Sequence, residues 1–322
     1  MIVSPRRVRW VATLLGLLLP ISVLLAISVG SSGWIWPWQA DETLQRIVLE
    51  LRLPRAIAAL IVGSLLATAG CLMQVLLRNP LADPYILGLS GGASVFALAG
   101  MTLGISWLPI PLLAFIGALF TTWLVFVLAR GDGAWTSARV LLTGVVLASG
   151  WGALISLILA TGDDASLRGM LFWLMGDLSH AQASSLWLLP TGLVLILIWL
   201  RSRSLNVLSA GALQAELLGE PTRLRFWEIF VAASLLTGVA VAMAGAIGFV
   251  GLIVPHLMRL LVGSDHRRLL PAAAAFGASF LLVADTLART LLSPRQLPVG
   301  VLTALIGVPL FLILLRRARG IR

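Results

Sequence analysis

Residues 51–84 read LRLPRAIAALIVGSLLATAGCLMQVLLRNPLADP. This stretch is an apolar run between two short polar segments, which we call the polar islands, and it indicates a membrane-spanning helix. The 22 residues at 56–77 carry no charge, and as an α-helix they would extend about 33 Å, enough to cross the apolar core of a bilayer. A charged side chain at mid-membrane costs about 3 kcal/mol. We therefore expect the islands at 51–55 and 78–84 to lie on opposite sides of a membrane.

The composition extends this conclusion from one segment to the whole chain. Of its 322 residues, 59% are hydrophobic and only 11% are charged, whereas a soluble domain carries about 25% charged residues. A water-facing globule of this size could not bury so much apolar surface. We predict an all-α, polytopic membrane protein that forms a single transmembrane domain over residues 1–322.

Apolar stretches recur at lengths that fit membrane helices, although a few are short enough to be half-helices or strongly tilted. The first is interpreted as an uncleaved helix rather than a signal peptide. The stretches predict about ten membrane segments, at 10–29, 56–77, 86–106, 108–129, 138–160, 186–200, 226–247, 250–262, 270–288 and 299–315.

The basic residues indicate how the chain is oriented. All 23 are arginine, and they stand singly or in small groups between apolar runs rather than in a solvent-facing patch, so a nucleic-acid partner is not expected. If the segments alternate from a cytoplasmic N-terminus, most arginines fall on the inner side, as the positive-inside rule requires. We predict a multi-pass protein of a bacterial inner (plasma) membrane, in contact with lipid, with both termini in the cytoplasm.

Two connections between segments are long enough to carry structure. The predicted outer connection at 161–185 is polar and is expected to form a periplasmic loop with a short surface helix. The predicted inner connection at 201–225 contains GALQAELLGEP at 211–221, which is typical of a short amphipathic helix ended by Gly and Pro. Because Glu216 and Glu220 would be repelled by an anionic lipid surface, a protein partner is favoured for this segment.

Short motifs suggest catalysis, but the chemistry around them is incomplete. Residues 89–92 read LSGG, as in the signature loop of ABC-type ATPases, yet ATP hydrolysis in that fold needs a phosphate-binding lysine and this chain has none. Residues 88–91 read GLSG, which also occurs in rhomboid-type intramembrane serine proteases. That alternative would need His256 as a base for Ser90, and we keep it as the competing class of function. His180, His256 and His266 lack metal-ligand spacing, so no metal or cofactor is expected.

One acidic residue stands inside an apolar segment. Asp285 precedes Arg289 by four residues, which places the two side chains on the same face of a helix. A carboxylate in the membrane suggests a functional site, but an ion pair that holds local structure is favoured here.

The chain closely resembles the FecCD-type permeases, the membrane subunits of type II ABC importers for iron(III)-siderophores, haem and cobalamin. Two stretches carry the resemblance most clearly: the islands around the 56–77 run, and GAIGFVGLIVPH at 245–256 with Arg259. Further matching positions reach the C-terminus, among them Asp265-His266-Arg267, Asp285, Arg289, residues 297–300 and residues 307–309.

The resemblance implies ten helices in each subunit and roles for particular residues. It implies that Arg52, Arg55 and Arg289 meet acidic residues of the binding protein. As exposed charges at the rim of a helix mouth, these three arginines would form an electrostatic docking ring. It implies inner gate elements at Asn79, Pro80 and Leu81, together with Thr136 and Ser137. For coupling to the ATPase it implicates Gly211, Ala212, Gln214, Ala215, Glu216, Leu217, Leu218, Gly219, Pro221 and Arg223.

The predicted function is that of a permease subunit without catalytic residues of its own. A separate ABC ATPase would supply the energy, a periplasmic or lipoprotein substrate-binding protein would deliver the cargo, and a second permease copy would complete a homodimer. The predicted cargo is a metal chelate, first of all an iron(III)-siderophore, with cobalamin or haem as alternatives.

Overall fold

The computed structural model describes residues 4–31, 33–36, 38, 41–130, 136–179, 181 and 185–319. The regular structure of these residues is helical, apart from one hairpin of two-residue strands, in which β1 (Val29–Gly30) pairs antiparallel with β2 (Gly33–Trp34). The helices are α1 (Pro5–Ser28), α2 (Glu42–Arg46), α3 (Leu53–Leu76), α4 (Leu89–Thr102), α5 (Ile110–Arg130), α6 (Ser137–Thr161), α7 (Asp164–Leu174), α8 (Ser185–Leu200), α9 (Ser202–Ala210), α10 (Ala212–Leu217), α11 (Thr222–Ala244), α12 (Val250–Val262), α13 (His266–Thr290) and α14 (Val299–Arg319). A π-helix (Ile47–Arg52) joins α2 to α3, and a 3₁₀ turn (Pro84–Leu87) precedes α4.

Within the described ranges, each predicted membrane segment corresponds to one apolar helix. In the part of the chain that the structure describes, six helices are long and apolar enough to span a bilayer: α1, α3 with its α2 extension, α5, α6, α11 and α13. Helix α8 continues into α9 through a bend of 59°, and α4, α12 and α14 are shorter apolar helices. The predicted all-α class and the arrangement of about ten segments are therefore confirmed.

Helix α3, which holds the uncharged run at 56–77, lies at the centre of the bundle and is buried along most of its length. It packs against α11, α12 and α13. Glycines permit this contact: a Cβ on Gly63 would meet the carbonyl of Gly277, and one on Gly70 would meet the carbonyl of Gly251. These glycines therefore form a helix-packing seam, since close approach of backbones drives helix association in lipid.

Two breaks in the helices meet inside the bundle. The Tyr85 hydroxyl accepts a hydrogen bond from the backbone N–H of Ile247 at 3.0 Å, joining the turn before α4 to the link between α11 and α12. Gly251, in the first turn of α12, lies against Pro84 and the carbonyl of Leu66. Because Leu66 is in the middle of α3, α12 begins inside the bundle and is a half-helix.

The bundle has two ends that differ in chemistry. We call the end that carries α10 the α10 face and the opposite end, which carries α7, the α7 face. The first turn of α1 lies at the α10 face, where Arg7 donates to the carbonyl of Leu260 at the end of α12. Helix α14 starts beside the loop after α7, where the N–H of Gly300 approaches the carbonyl of Gly176, and runs toward the α10 face.

Candidate functional site

A buried ion cluster lies at the α7 face, where the ends of α3 and α13 meet. The Asp285 carboxylate is fully buried, and its Oδ1 accepts from the Arg55 guanidinium, with Nη2 at 2.8 Å and Nε at 3.0 Å. The Nε of Arg289 lies 3.1 Å from the other carboxylate oxygen. The ion pair predicted between Asp285 and Arg289 is confirmed, and Arg55 is a second partner that the sequence did not indicate.

Backbone carbonyls at the end of α1 accept hydrogen bonds from the guanidinium groups of Arg52 and Arg289. Arg52 Nη1 donates to the carbonyls of Ile27 at 3.0 Å and Ser28 at 2.7 Å. Arg289 Nη2 donates to the carbonyl of Ala26 at 3.1 Å. These bonds supply carbonyls near the C-terminal end of α1 with donors, and they tie α1 to α3 and α13.

The exposure predicted for these three arginines is wrong. Arg52, Arg55 and Arg289 are exposed to only 4%, 8% and 5%, so they are not rim charges of this chain. Their position at the ends of apolar segments is visible in the sequence, but the neighbouring helices that cover them are not. The docking role itself stays a prediction.

A cavity of about 440 Å³ lies beside the ion cluster and shows where a partner group could reach it. Arg52, Arg55 and Arg289 all contribute to its wall, while the exposed Ser31 and Glu50 lie at its margin. An anionic group that met the arginines would have to enter this cavity. Its approach would also have to overcome the repulsion of the Glu50 carboxylate.

A larger cavity of about 820 Å³ lies between α7 and the neighbouring ends of α4, α5 and α11. Its wall is mainly apolar and includes Phe172 and Trp173 from α7, with Met243 from α11. Two exposed cations, Arg168 and Arg295, stand in its lining, and the Arg168 guanidinium lies 6.0 Å from the Phe172 ring centre. An apolar cavity of this size with a few polar groups is typical of a small-molecule site.

One acidic residue also lines the larger cavity, and neighbouring atoms bind its carboxylate. Asp177 Oδ1 accepts from the backbone N–H of Ser179 at 2.8 Å and also from its hydroxyl. The N–H of Asp177 donates to the carbonyl of Ala244, which fixes the loop after α7 against the end of α11. The loop that closes this cavity is therefore held by the bundle. The short helix predicted within 161–185 is α7, and His180 lies outside the described residues.

At the α10 face, the island that follows α3 forms a compact turn. Asn79 Oδ1 accepts from the backbone N–H of Leu81 at 2.9 Å, and the N–H of Ala82 donates to the carbonyl of Asn79 at 3.0 Å. Pro80 and Leu81 are exposed at its tip.

The start of α6 lies against the same turn. Ser137 Oγ donates to the carbonyl of Leu76 at 3.1 Å, at the end of α3, and Thr136 Oγ1 caps α6 by accepting from the N–H of Arg139. The structure therefore brings the two halves of the predicted gate together at the end of α3. Residues 131–135, which precede Thr136, lie outside the described residues.

The connection at 201–225 folds into α9, α10 and the first turn of α11. Helix α10 lies between two glycines with positive φ, Gly211 at 140° and Gly219 at 78°, conformations that residues with a side chain rarely adopt. Ala215 faces inward and is fully buried, whereas Leu217 and Leu218 are exposed to 79% and 71%. The predicted short amphipathic helix is present, and it holds apolar side chains away from the bundle.

Surface hydrogen bonds and ion pairs hold α10 to its neighbours. Thr222 Oγ1 donates to Glu216 at 2.8 Å, and Ser204 Oγ donates to Glu220 at 2.8 Å. The guanidinium of Arg225 lies 3.2 Å from Glu220. The hydrogen bond from Ser204 and the nearby Arg225 hold the pKa of Glu220 below its ordinary value.

The rhomboid-type protease alternative needs a hydrogen bond between Ser90 and the base His256. Among the described residues, no hydrogen bond joins Ser90 to His256, and the Nδ1 of His256 is buried without a partner. Within the same part of the chain, no group of three His, Cys, Asp or Glu side chains is arranged to hold a metal ion.

Comparisons with known proteins find similar proteins over nearly the whole length of this chain. The sequence profile of the FecCD transport family matches residues 17–317. The chain is 42% identical to a hemin transport system permease of Yersinia pestis, over 95% of this chain and 96% of that protein. It is 41% identical to a vitamin B12 import system permease of Klebsiella pneumoniae, over 97% and 95% of the two chains. Among solved structures, an inward-facing metal-chelate type ABC transporter superposes with a TM-score of 0.85 at 34% identity, over 94% of this chain and 97% of that one.

Proposed function

The chain belongs to the FecCD transport family, and from this membership we propose a specific orientation, set of contacts and cargo class. As a member of that family it is the membrane permease of an ABC importer of the metal-chelate, haem or cobalamin type. It is not an enzyme, because ATP hydrolysis takes place in a separate subunit.

The proposed orientation places the α10 face in the cytoplasm. This face carries the first turn of α1, the α9–α10 connection and most of the arginines at helix ends, as the positive-inside rule favours. The exposed Leu217 and Leu218 on α10 would enter an apolar cleft of the ATPase, since an amphipathic helix binds a partner through its apolar side. A closing ATPase would then push α10 as a rigid body.

The α7 face would receive the binding protein on the opposite side of the membrane. We propose that a carboxylate of that partner enters the 440 Å³ cavity and meets Arg52, Arg55 and Arg289, whose three positive charges outnumber the carboxylates of Asp285 and Glu50. The cluster would also fix the ends of α1, α3 and α13 in the position that the partner recognises. Charge complementarity of this kind mainly raises the association rate and is sensitive to salt.

A second copy of the chain is proposed to complete the pathway. Helix α6 carries the proposed gate residues Thr136 and Ser137 at its start, yet little of its surface is buried within one chain. Its free surface is therefore available to lipid and to the second copy. The turn at Asn79, Pro80 and Leu81 would open or close the pathway as the start of α6 moves relative to α3.

The larger cavity supports a finer proposal about the cargo. We propose an anionic iron(III) chelate with an apolar ring, a class that includes hemin and, among the iron(III)-siderophores that the sequence predicted, those of the catecholate type. Arg168 and Arg295 would bind anionic groups, while Phe172 and Trp173 would contact the ring. Cobalamin lacks the net negative charge that the two arginines favour. The observation that carries the proposal is the combination of two exposed cations with an aromatic wall.

Reconstitution in liposomes tests these proposals together. The permease, its ATPase and its binding protein are assembled, and ATP-dependent uptake of a ferric catecholate siderophore, hemin and vitamin B12 is compared. We expect uptake of one of the two iron chelates and a severalfold loss of it in Arg168→Ala with Arg295→Ala. Arg46→Ala serves as the control, because Arg46 is an exposed arginine on the same face. Uptake of vitamin B12 alone would refute the cargo proposal, and uptake without the ATPase would refute the function.

A further inference from the structure

The side chain of Asn206, near the end of α9, joins this helix to the start of α13. Its Nδ2 donates to Asp265 Oδ1 at 2.8 Å. Its Oδ1 accepts from the backbone N–H of His266 at 2.8 Å and lies 2.7 Å from His266 Nδ1. One amide group thus serves as donor to one residue and acceptor for the next.

The chemistry of this junction favours an amide at position 206 while a carboxylate stands at position 265. Asp265 is the N-cap of α13 and already accepts from the backbone N–H of Arg267 at 3.1 Å, so a carboxylate beside it would be repelled. The backbone N–H of His266 needs an acceptor, because His266 is only 2% exposed. The amide of Asn206 meets both needs with separate atoms, since its Nδ2 donates to Asp265 and its Oδ1 accepts from His266.

The location of the junction gives it mechanical consequences. Asn206 lies five residues before Gly211, where the chain turns into α10, so its hydrogen bonds hold α9 to the bundle shortly before the proposed ATPase contact. On the other side of the junction, α13 is a continuous helix of 25 residues, about 37 Å long. It ends in the ion cluster of Asp285 and Arg289 at the α7 face.

A second bond supports the same connection. Trp199 Nε1, near the end of α8, donates to the carbonyl of Arg267 at 3.3 Å. The bend between α8 and α9 is therefore held against the first turn of α13 on both of its sides. A displacement of α10 would pull on α13 through these bonds rather than be absorbed by the bend.

We propose that Asn206 is a positioning residue that passes the movement of α10 to α13, and thereby sets how much cargo is transported for each ATP hydrolysed. The proposal rests on the proposed function, since it takes α10 as the ATPase contact. It assigns a role in coupling to a residue outside the segment at 211–223. It also links that segment to the ion cluster through one helix.

The test measures the cargo transported per ATP hydrolysed in the reconstituted complex. Asn206→Ala is expected to keep most of its ATPase rate while cargo per ATP falls about fivefold, which is within the range by which single mutations change the coupling between sites. Asn206→Asp places two carboxylates side by side and is expected to behave in the same way or worse. Arg268→Gln is the control, because Arg268 is an exposed side chain in the same turn of α13.

The exchange variant makes the test independent of folding losses. In Asn206→Asp with Asp265→Asn, the amide and the carboxylate change places, so the bonds to His266 and the cap of α13 are retained. We expect cargo per ATP to return to within about twofold of the wild type, as a coupled pair requires in a double-mutant cycle.

Three outcomes would overturn the inference. These are unchanged cargo per ATP in Asn206→Ala, no recovery in the exchange variant, and a parallel fall of uptake, ATPase rate and melting temperature that indicates a purely structural role. If the wild type transports nothing in any arm, the proposed function fails instead.

Discussion

At the α7 face, three guanidinium groups surround or flank the buried Asp285 carboxylate and tie the ends of α1, α3 and α13 together. At the α10 face, the polar bonds lie near the surface and α10 leaves leucine side chains exposed. The first arrangement uses its charges internally and fixes a shape. The second leaves apolar area without a contact inside the chain, which is what a site for a moving partner requires. We therefore expect the loss of a single charge from the ion cluster to lower stability, whereas changes on α10 should affect transport alone.

Loss of the Asp285 carboxylate is expected to have the largest effect. Asp285→Ala would leave Arg55 and Arg289 as buried charges without their counter-ion, and breaking a buried pair in this way costs about 3–5 kcal/mol. We expect a strongly lowered melting temperature in detergent together with loss of uptake. The control is Glu42→Ala, which removes an exposed pair with Arg46 and should cost less than about 0.5 kcal/mol. Equal melting temperatures for the two variants would show that the cluster does not hold this face.

Disruption of α10 is expected to remove transport without unfolding the bundle. The double change Leu218→Asp with Gly219→Pro replaces an exposed apolar side chain by a charged one. It also forces φ at position 219 from +78° to about −65°. We expect ATP-dependent uptake to be lost while the melting temperature changes little. The control is Leu103→Asp, because Leu103 is similarly exposed but lies at the α7 end of α4. Uptake that survives the double change would contradict the role of α10.

An apolar replacement of the ion cluster separates its structural role from its proposed docking role. The triple variant Arg55→Met with Asp285→Leu and Arg289→Met removes the carboxylate and both of its ion-pair partners together, so none of these three charges is left buried without a counter-ion. Apolar replacements of a buried ion pair or triad are often neutral for stability. We expect a melting temperature close to that of the wild type but a several-fold weaker response to the binding protein, because the attraction for its carboxylates is reduced. A normal response, measured as uptake against binding-protein concentration, would show that the cluster only holds the fold.

The smallest effect is expected at the surface bonds beside α10. Because the pKa of Glu220 is lowered in the folded protein, its contribution to stability is present above the ordinary glutamate pKa and is lost as the pH falls through the folded value. Glu220→Gln should cost about 1 kcal/mol near neutral pH and should reduce the acid dependence of the melting temperature. Unfolding scans at several pH values check this, with Glu216→Gln as a comparison in the same segment. An unchanged acid dependence would mean that Ser204 and Arg225 do not stabilise the charged form.

The sequence predicted the local features of the candidate site but not their partners. The spacing of Asp285 and Arg289 predicted their ion pair because residues four apart share a helix face. Arg55 precedes Asp285 by 230 residues, so no local pattern could indicate that contact. Asn206 carried no signal for the same reason, since its partners lie 59 and 60 residues further along the chain.

The sequence alone predicts a membrane protein, the positions of its spans and the position of its short amphipathic helix. It could do so because the cost of a charge in the bilayer, the conformational freedom of Gly and the missing N–H of Pro act on each short stretch separately. The folded structure was needed to show that the three arginines are buried, that α12 begins inside the bundle and that Asn206 joins α9 to α13. Those facts depend on which distant helices pack together, and the helix-packing contacts that fix this are set by surfaces from many parts of the chain at once.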